Sequence, residues 1–154
     1  MKRLVAIALL TSIIALSGCT SNEIEILSTN YRAQYNDMYI VSEPLLIDSF
    51  EQWVEFLENH PEKLTNEDNL EWHLDELFFD ERVIYAYISQ ESSGSNRFEA
   101  EKAEVSDNIL KLYMTRTIPE THTDDLAIRI CLFGIRRVDI QNTRTVEAII
   151  EVKR

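Results

Sequence analysis

Arg82-Val83-Ile84-Tyr85-Ala86-Tyr87-Ile88-Ser89 is the stretch that decides the fold. Its inner six side chains are all apolar or aromatic, and such residues are typical of β-strands. A strand without a polar face is predicted to be covered on both sides, which places it at the centre of a sheet. Residues 126–136 have the same character and predict a second strongly apolar strand, bulged at Gly134.

Downstream of this stretch the chain alternates between turns and strands. Ser92-Ser93-Gly94-Ser95-Asn96 is a turn cluster, and its glycine predicts a positive φ at Gly94. The following strand changes its apolar phase near Lys102, which predicts a bulge or bend. Asp107-Asn108 is typical of a hairpin turn, and residues 118–124 are expected to form a loop. Further strands are predicted over residues 109–117 and 145–152.

Two helices are predicted upstream of the central strand. Ser49 can cap the first helix, with Gln52 reaching back as in a capping box, and Pro61 ends it. Thr65 or Asn66 can cap the second helix. The predicted apolar stripes are Phe50, Trp53, Val54 and Leu57 on the first helix, and Leu70, Leu74, Leu77 and Phe78 on the second.

The residues before the helices predict shorter strands. Residues 23–33 have a weak strand pattern, and residues 38–47 are richer in β-formers but are interrupted by Pro44, as in an edge strand or in two short strands. The predicted fold class is therefore α+β, with a bent antiparallel sheet of about five to six strands and two helices on one side. Residues 23–154 are expected to form this single domain.

The N-terminus has the pattern of a secretion signal. Lys2 and Arg3 are followed by the apolar residues 4–16, a run too short to span a membrane, and then by small residues. The sequence Leu16-Ser17-Gly18-Cys19 resembles a bacterial lipobox. That resemblance implies a signal peptide over residues 1–18, cleavage between Gly18 and Cys19, a lipid on Cys19 and a short linker over residues 19–22. The expected location is extracytoplasmic, anchored to the cell membrane.

The composition limits the possible partners. The 154 residues carry a formal net charge of −12. An acidic chain lacks the cationic surface that nucleic acid requires, so no nucleic-acid partner is predicted. Lipidation of Cys19 would leave Cys131 as the one other cysteine, without a disulfide partner. Cys131 lies in an apolar strand and is predicted to be a small buried hydrophobic residue.

No catalytic constellation is apparent in the sequence. His60, His73 and His122 do not pair at metal-ligand spacing, and no cofactor or metal site is predicted. His122 with Asp124 and Asp125 could bind a cation, although solvated loop side chains are the simpler interpretation. We therefore expect a protein that is not an enzyme, with hydrolysis as a distant alternative.

The second half of the chain resembles a group of small lipoproteins of Gram-positive bacteria. The matching pieces are Phe78-Phe79-Asp80, Ser93-Gly94-Ser95 with Arg97, and Pro119 followed by Thr123-Asp124-Asp125-Leu126-Ala127. Ile128 and Arg129 depart from that pattern. The order of elements is more distantly similar to the C-terminal domain of the protease complex subunit PrcB. That similarity implies an accessory or binding role and no catalytic residue.

Two functions are predicted from these observations. The first is a membrane-anchored, non-catalytic binding or accessory module for an envelope protein, including a protease complex. The alternative is a lipoprotein that binds a small ligand or a cation through loops at the ends of its strands. The candidate loop residues are Ser93, Gly94, Ser95, Arg97, Thr123, Asp124 and Asp125.

Overall fold

The computed structural model describes residues 22–34, 43–59 and 73–154. This part of the chain forms two four-stranded sheets, two α-helices and one short 3-10 helix. In chain order the elements are β1 (Asn22–Ile24), β2 (Ile26–Gln34), β3 (Leu45–Ile47), α1 (Phe50–Asn59), α2 (Glu76–Glu81), β4 (Arg82–Glu91), β5 (Arg97–Ser106), β6 (Ile109–Thr117), β7 (Ala127–Arg136), the 3-10 helix (Arg137–Ile140) and β8 (Thr145–Lys153).

The two strongly apolar strands lie side by side at the centre of one sheet. Its strand order is β2-β7-β4-β3, and all of its pairs are antiparallel. β4 and β7 run in full register from the Arg82↔Arg136 pair to the Glu91↔Ala127 pair. The prediction of central strands buried on both faces is confirmed. The pairing passes through Gly134 without a shift, so the predicted bulge there is wrong.

The second sheet has the order β1-β5-β6-β8. β5 and β6 form a hairpin whose turn residues Asp107 and Asn108 have φ of 53° and 64°, the conformation that a two-residue hairpin turn needs. The register shifts between Ala100 and Lys102, which confirms the predicted bulge. β8 pairs with β6 in parallel, so the sheets are not wholly antiparallel as expected.

The α+β class is confirmed, but the single bent sheet is replaced by three layers. The helices cover one face of the sheet that contains β4, which we call the helix-side sheet, and the second, outer sheet covers its other face. β4 already has β3 and β7 as neighbours, so the β5–β6 hairpin cannot pair with β4 within the same sheet. It packs across the exposed apolar face of β4 instead, because that face also requires burial.

Two apolar clusters fill the spaces between these layers. Burial of apolar surface on both faces of one sheet is the main stabilising contribution in such a fold. The helix-side cluster contains Tyr31, Ile47, Trp53, Phe56, Phe79, Ile84, Ala86, Ile88, Ile128, Ile130 and Leu132. The inter-sheet cluster contains Val83, Tyr85, Tyr87, Phe98, Ala103, Leu110, Leu112, Met114, Cys131, Phe133 and Ile135.

Cys131 belongs to the inter-sheet cluster and is fully buried, as predicted. Burial raises the pKa of its thiol from 9.0 to about 12, with a smaller contribution of the same sign from Glu99. A thiol of that kind stays protonated and packs as an apolar group.

The first helix begins with the predicted cap. Gln52 N donates to Ser49 Oγ at 3.2 Å, and Gln52 Oε1 accepts from Asp48 N at 2.9 Å. The side chain of Gln52 thus bonds to the backbone of Asp48 and not, as in a capping box, to the backbone of the cap residue Ser49. The predicted stripe is wrong in part: Trp53 and Phe56 are buried, whereas Phe50 and Val54 are exposed. The buried face of the helix thus includes Phe56, which is not in the predicted stripe, and leaves out Phe50 and Val54.

The second helix is shorter than the predicted stripe. His73 and Leu74 are not helical, and Asp75 caps α2 by accepting from Phe78 N at 2.9 Å through Oδ1. The prediction that the second helix includes Leu74 is therefore wrong. The Asp75 side chain accepts the Phe78 N–H, which in a longer helix would donate to a backbone carbonyl of the preceding turn. The predicted caps at Thr65 and Asn66 lie outside the described residues.

The N-terminal strand is divided between the two sheets. β1 pairs with β5 in the outer sheet, and after Glu25 the chain enters β2 of the helix-side sheet. Asn22 already belongs to β1, so the predicted linker does not include it. β3 follows Pro44 and is an edge strand, as expected.

The predicted signal and anchor, residues 1–18 and Cys19, lie outside the described residues. Among the helices of residues 22–34, 43–59 and 73–154, none is sufficiently long and apolar to span a membrane.

Candidate functional site

Two loops meet at one end of the helix-side sheet. β4 ends at Glu91, directly opposite Ala127 at the start of β7. The turn after β4 (residues 92–96, the serine turn) and the loop before β7 (residues 118–126, the threonine loop) are therefore neighbours. The sequence placed these loops at equivalent strand ends on the assumption that strands pair in sequence order. The structure brings them together for a different reason, the antiparallel pairing of β4 with β7.

Hydrogen bonds fasten the two loops to each other. The buried Ser93 Oγ accepts from Thr123 N at 2.9 Å and lies 3.2 Å from Thr123 Oγ1. Ser95 N donates to Thr123 Oγ1 at 3.1 Å, and Ser95 Oγ donates to the Thr121 carbonyl at 3.0 Å. The serine and threonine hydroxyls thus replace the backbone ladder that a continuous sheet would supply.

Gly94 is required by a close approach and not by its backbone angle. Gly94 N donates to Asp125 Oδ1 at 3.2 Å, and its carbonyl accepts from Arg129 Nη2 at 2.7 Å. An added Cβ would collide with the Asp125 carboxylate and the Arg32 guanidinium. Its φ is not positive, so the prediction of a left-handed turn residue is wrong.

Asp125 connects the serine turn to β2 through an ion pair with Arg32. The pKa of the Asp125 carboxyl is lowered, chiefly by a hydrogen bond from the Thr123 side chain and also by Gly94 N and Arg32. Both members of the pair are about half exposed. The pair therefore positions the loop more than it stabilises the fold.

A groove of about 810 Å³ opens between the two sheets beside these loops. Its size lies within the range of small-molecule sites in proteins. Strands β2 and β7 of the helix-side sheet form one wall, and β5 and β6 of the outer sheet form the other. The lining residues are Asn30, Gly94, Ser95, Arg97, Phe98, Glu99, Thr117, Pro119, Thr121, Thr123 and Arg129.

Two arginines line this groove, and a third lies beside it. Arg32 on β2 lies directly opposite Arg129 on β7, and Arg97 begins β5 on the facing sheet. The pKa of Arg129 is lowered, first by burial and then by the positive charges of Arg32 and Arg97, while the negative charges of Glu91 and Asp125 oppose that shift. The Arg129 Nε atom is buried without a hydrogen-bond partner among the described residues.

A buried ion pair supports the base of the serine turn. Glu91 is 1% exposed and accepts from Arg116 at 2.7 Å and 2.9 Å, from Asn96 Nδ2 at 2.8 Å and from Ser89 Oγ at 2.9 Å. Burial acts to raise the pKa of Glu91, but these hydrogen bonds together with the Arg116 charge lower it overall. Glu91 therefore stays ionised and joins β4, the serine turn and β6.

The structure collects most of the predicted loop residues. Ser93, Ser95, Gly94, Thr123 and Asp125 share one hydrogen-bond network. Of the other two predicted residues, Arg97 lines the groove, whereas Asp124 is exposed and is not among the lining residues.

The cation alternative gains no geometric support. Across the part of the chain that the structure describes, no group of three or more His, Cys, Asp or Glu side chains could hold a metal ion. His122 is exposed, and Asp125 is engaged with Arg32. The arginines at the groove would also repel a cation.

Sequence reasoning missed several residues of the site. Arg129 and Asn30 line the groove from strands that are distant in the chain, Arg32 lies beside it, and the Glu91–Arg116 pair crosses between sheets. One signal could have indicated Arg129: it is a charged residue within an otherwise apolar strand. The others have no local signature, because they depend on which strands become neighbours.

No family model matches the chain, and it has no significant match among curated proteins or solved structures. The resemblance to small Gram-positive lipoproteins and to PrcB therefore stays a prediction.

Proposed function

We propose that this protein is a non-catalytic binding module, held at the outer surface of a membrane by a lipid on Cys19, and that the groove is its binding site. The observation that carries the proposal is the hydrogen-bonded junction of the serine turn and the threonine loop beside a groove of about 810 Å³. A site with such cross-linked walls is preorganised, so little conformational entropy is lost when a ligand binds.

The roles of the serines support binding over hydrolysis. The Ser93 hydroxyl lies 2.9 Å from Ser95 Oγ and accepts from Thr123 N. It is 2% exposed, so it faces the loop junction and not the groove. Its role in the proposal is to shape the site.

A second candidate is the accessory role at an envelope protein, including a protease complex. The observation that favours it is the edge strand β8, on which Ile149, Ile150 and Val152 are exposed. An extended segment of a partner protein can add to such an edge through main-chain hydrogen bonds. The two candidates place the ligand on different surfaces, so they can be tested separately.

Site-specific photocrosslinking in intact cells would test both. The photoreactive residue would replace Glu99 in the groove, Val152 on the β8 edge, or Leu77, which is 72% exposed on α2 and serves as the control. Adducts from position 99 alone support the groove, and adducts from position 152 alone support an edge-bound partner. If neither position exceeds the position-77 control, the protein is not a binding module.

The anchor has its own test. Cys19→Ala is expected to abolish lipid labelling and to release the protein from the membrane fraction, because one covalent lipid group is the whole attachment in this proposal. Unchanged retention in that variant would contradict the anchor.

A further inference from the structure

The arginines at the groove contradict the general charge of the molecule. The chain has a net charge of −12, yet Arg97 and Arg129 both line this groove, and Arg32 lies beside it, opposite Arg129. Arg32 and Arg129 occupy directly opposed positions of an antiparallel pair, where like charges are destabilising. Arginines clustered on an acidic domain mark a candidate position for an anionic ligand.

These arginines differ in how far they are neutralised. Asp125 pairs with Arg32. Arg129 makes a hydrogen bond to the neutral Gly94 carbonyl and keeps a buried Nε without a partner among the described residues. Arg97 is exposed and makes no ion pair with any residue that the structure describes. The two guanidinium groups that line the groove therefore make no ion pair within the described residues, and the charges of Glu91 and Asp125 act on Arg129 only from a longer distance.

We infer that the groove binds a ligand through an anionic group, a carboxylate or a phosphate, held between Arg97 and Arg129. The guanidinium fork matches such oxygen atoms in a bidentate manner and is more easily desolvated than an ammonium group. The inference rests on the proposed function, since it names the ligand chemistry of the same groove.

Other lining residues restrict the ligand further. Thr117, Thr121 and Asn30 add polar groups along the walls, which suits a ligand that carries hydroxyl or amide groups beside its acid. Glu99 is the single carboxylate among the lining residues. It disfavours a large polyanion and favours a compact ligand whose negative charge is confined to one end.

The test is a titration of the full-length lipidated protein in zwitterionic lipid nanodiscs at constant ionic strength. The probes are inorganic phosphate and succinate, with sodium chloride as the ionic control. The readout is the ¹⁵N-¹H signal of the arginine Nε–H groups. We expect saturable shifts of the Arg129 signal with at least one probe, and the tighter probe identifies which acid the groove prefers.

Variants assign the effect to the groove. Arg97→Gln is expected to weaken binding about tenfold or more, because hydrogen bonds to charged groups are the stronger ones. Arg154→Gln, an exposed arginine at the end of the chain, is the matched control and should bind normally. Arg97 makes no ion pair within residues 22–34, 43–59 and 73–154, so its variant is expected to fold even if Arg129→Gln does not.

Two results would overturn the inference: shifts that rise linearly without saturation for both probes, or equal losses in Arg97→Gln and Arg154→Gln. Failure here is distinguishable from failure of the proposed function. Adducts at position 99 that persist in Arg97→Gln would leave the binding module intact and remove only the anion. Saturable anion binding without any adduct at position 99 in cells would leave the anion site intact and remove the proposed binding function.

Discussion

One face of β7 contains two regions with opposite chemistry. Arg129 faces the groove, whereas Cys131, Phe133 and Ile135 face the space between the sheets and are fully buried. Successive residues on one face of a strand are only about 6.6 Å apart. β7 therefore passes from binding surface to packed core between Arg129 and Cys131, two successive residues on the same face.

This difference shows how the fold separates stability from recognition. In the core between the two sheets, tight packing leaves little freedom to change side-chain volume. At the groove, the charged residues contribute little to packing and can be chosen for a ligand. Substitutions of the buried residues should therefore lower the stability of the fold and have little effect on binding. Substitutions of the charged residues at the groove should weaken binding and have little effect on stability.

Phe133→Ala should have the largest effect on stability. Removing a large side chain from a fully buried site leaves a cavity, and such changes cost about 3–5 kcal/mol of the free energy of unfolding. Urea denaturation followed by circular dichroism would measure it. Leu77→Ala, at an exposed site, is the control and should lose less than about 0.5 kcal/mol. Similar losses in both variants would show that residue 133 is not in the core.

Glu91→Gln should follow, because it removes the charge that Arg116 faces. A loss of about 2–3 kcal/mol is expected, since Arg116 is partly exposed and retains some hydration. In the same denaturation assay, Glu91→Gln combined with Arg116→Gln should lose less than the sum of the two single variants. Full additivity would mean that the two side chains do not interact.

The Glu91 pair also predicts a dependence on pH. The folded-state pKa of Glu91 lies below its ordinary value of 4.5, so its contribution is present above pH 4.5 and is lost as pH falls through the folded pKa. The free energy of unfolding should therefore fall below pH 4.5 less steeply in Glu91→Gln than in the natural protein. Parallel curves would contradict an ionised buried Glu91.

Gly94→Ala tests the boundary between the two regions. The new methyl group would meet the Asp125 carboxylate and the Arg32 guanidinium, which are the ends of half-exposed, flexible side chains and can shift, so a loss of about 1 kcal/mol is expected. Combination with Asp125→Ser should restore part of the loss, as measured by thermal unfolding. Ser92→Ala, in the same turn but exposed, is the control. A neutral Gly94→Ala would show that the loop junction is loose.

Arg97→Gln should have the smallest effect on stability. Its side chain is exposed and makes no ion pair in the described part of the chain, so a change within about 0.5 kcal/mol is expected. The same variant should lose anion binding, which makes it the inverse of Phe133→Ala. A loss of stability as large as its loss of binding would contradict the separation of the two regions.

The sequence predicts the strands of this fold better than their arrangement. The apolar runs of β4 and β7, the Asp107-Asn108 turn and the shift near Lys102 are local patterns, and all four predictions are confirmed. The division of the strands into two sheets and the parallel pairing of β6 with β8 depend on which strand edges remain free after the other strands have paired. No local pattern specifies those choices.

Prediction of the site has the same limit. The serine turn and the threonine loop are recognisable from their composition, and the structure brings them together. Arg32 and Arg129 become neighbours only through the β2–β7 pairing, which joins residues far apart in the chain. For Arg129, the position of a charged residue inside an apolar run is the sequence feature that could have indicated the groove.

The N-terminal strand fixes the direction in which the groove would face. β1 begins three residues after Cys19 and pairs with the Val105 end of β5, whereas the groove lies at the Arg97 end. Three residues reach at most about 10 Å, and the ten residues of β5 extend roughly 30 Å. With a lipid on Cys19, the domain would stand on the bilayer with the groove at its far end. Ligands would then enter from the surrounding medium, and a partner embedded in the membrane would have to rise some 30 Å above the lipid headgroups to reach it.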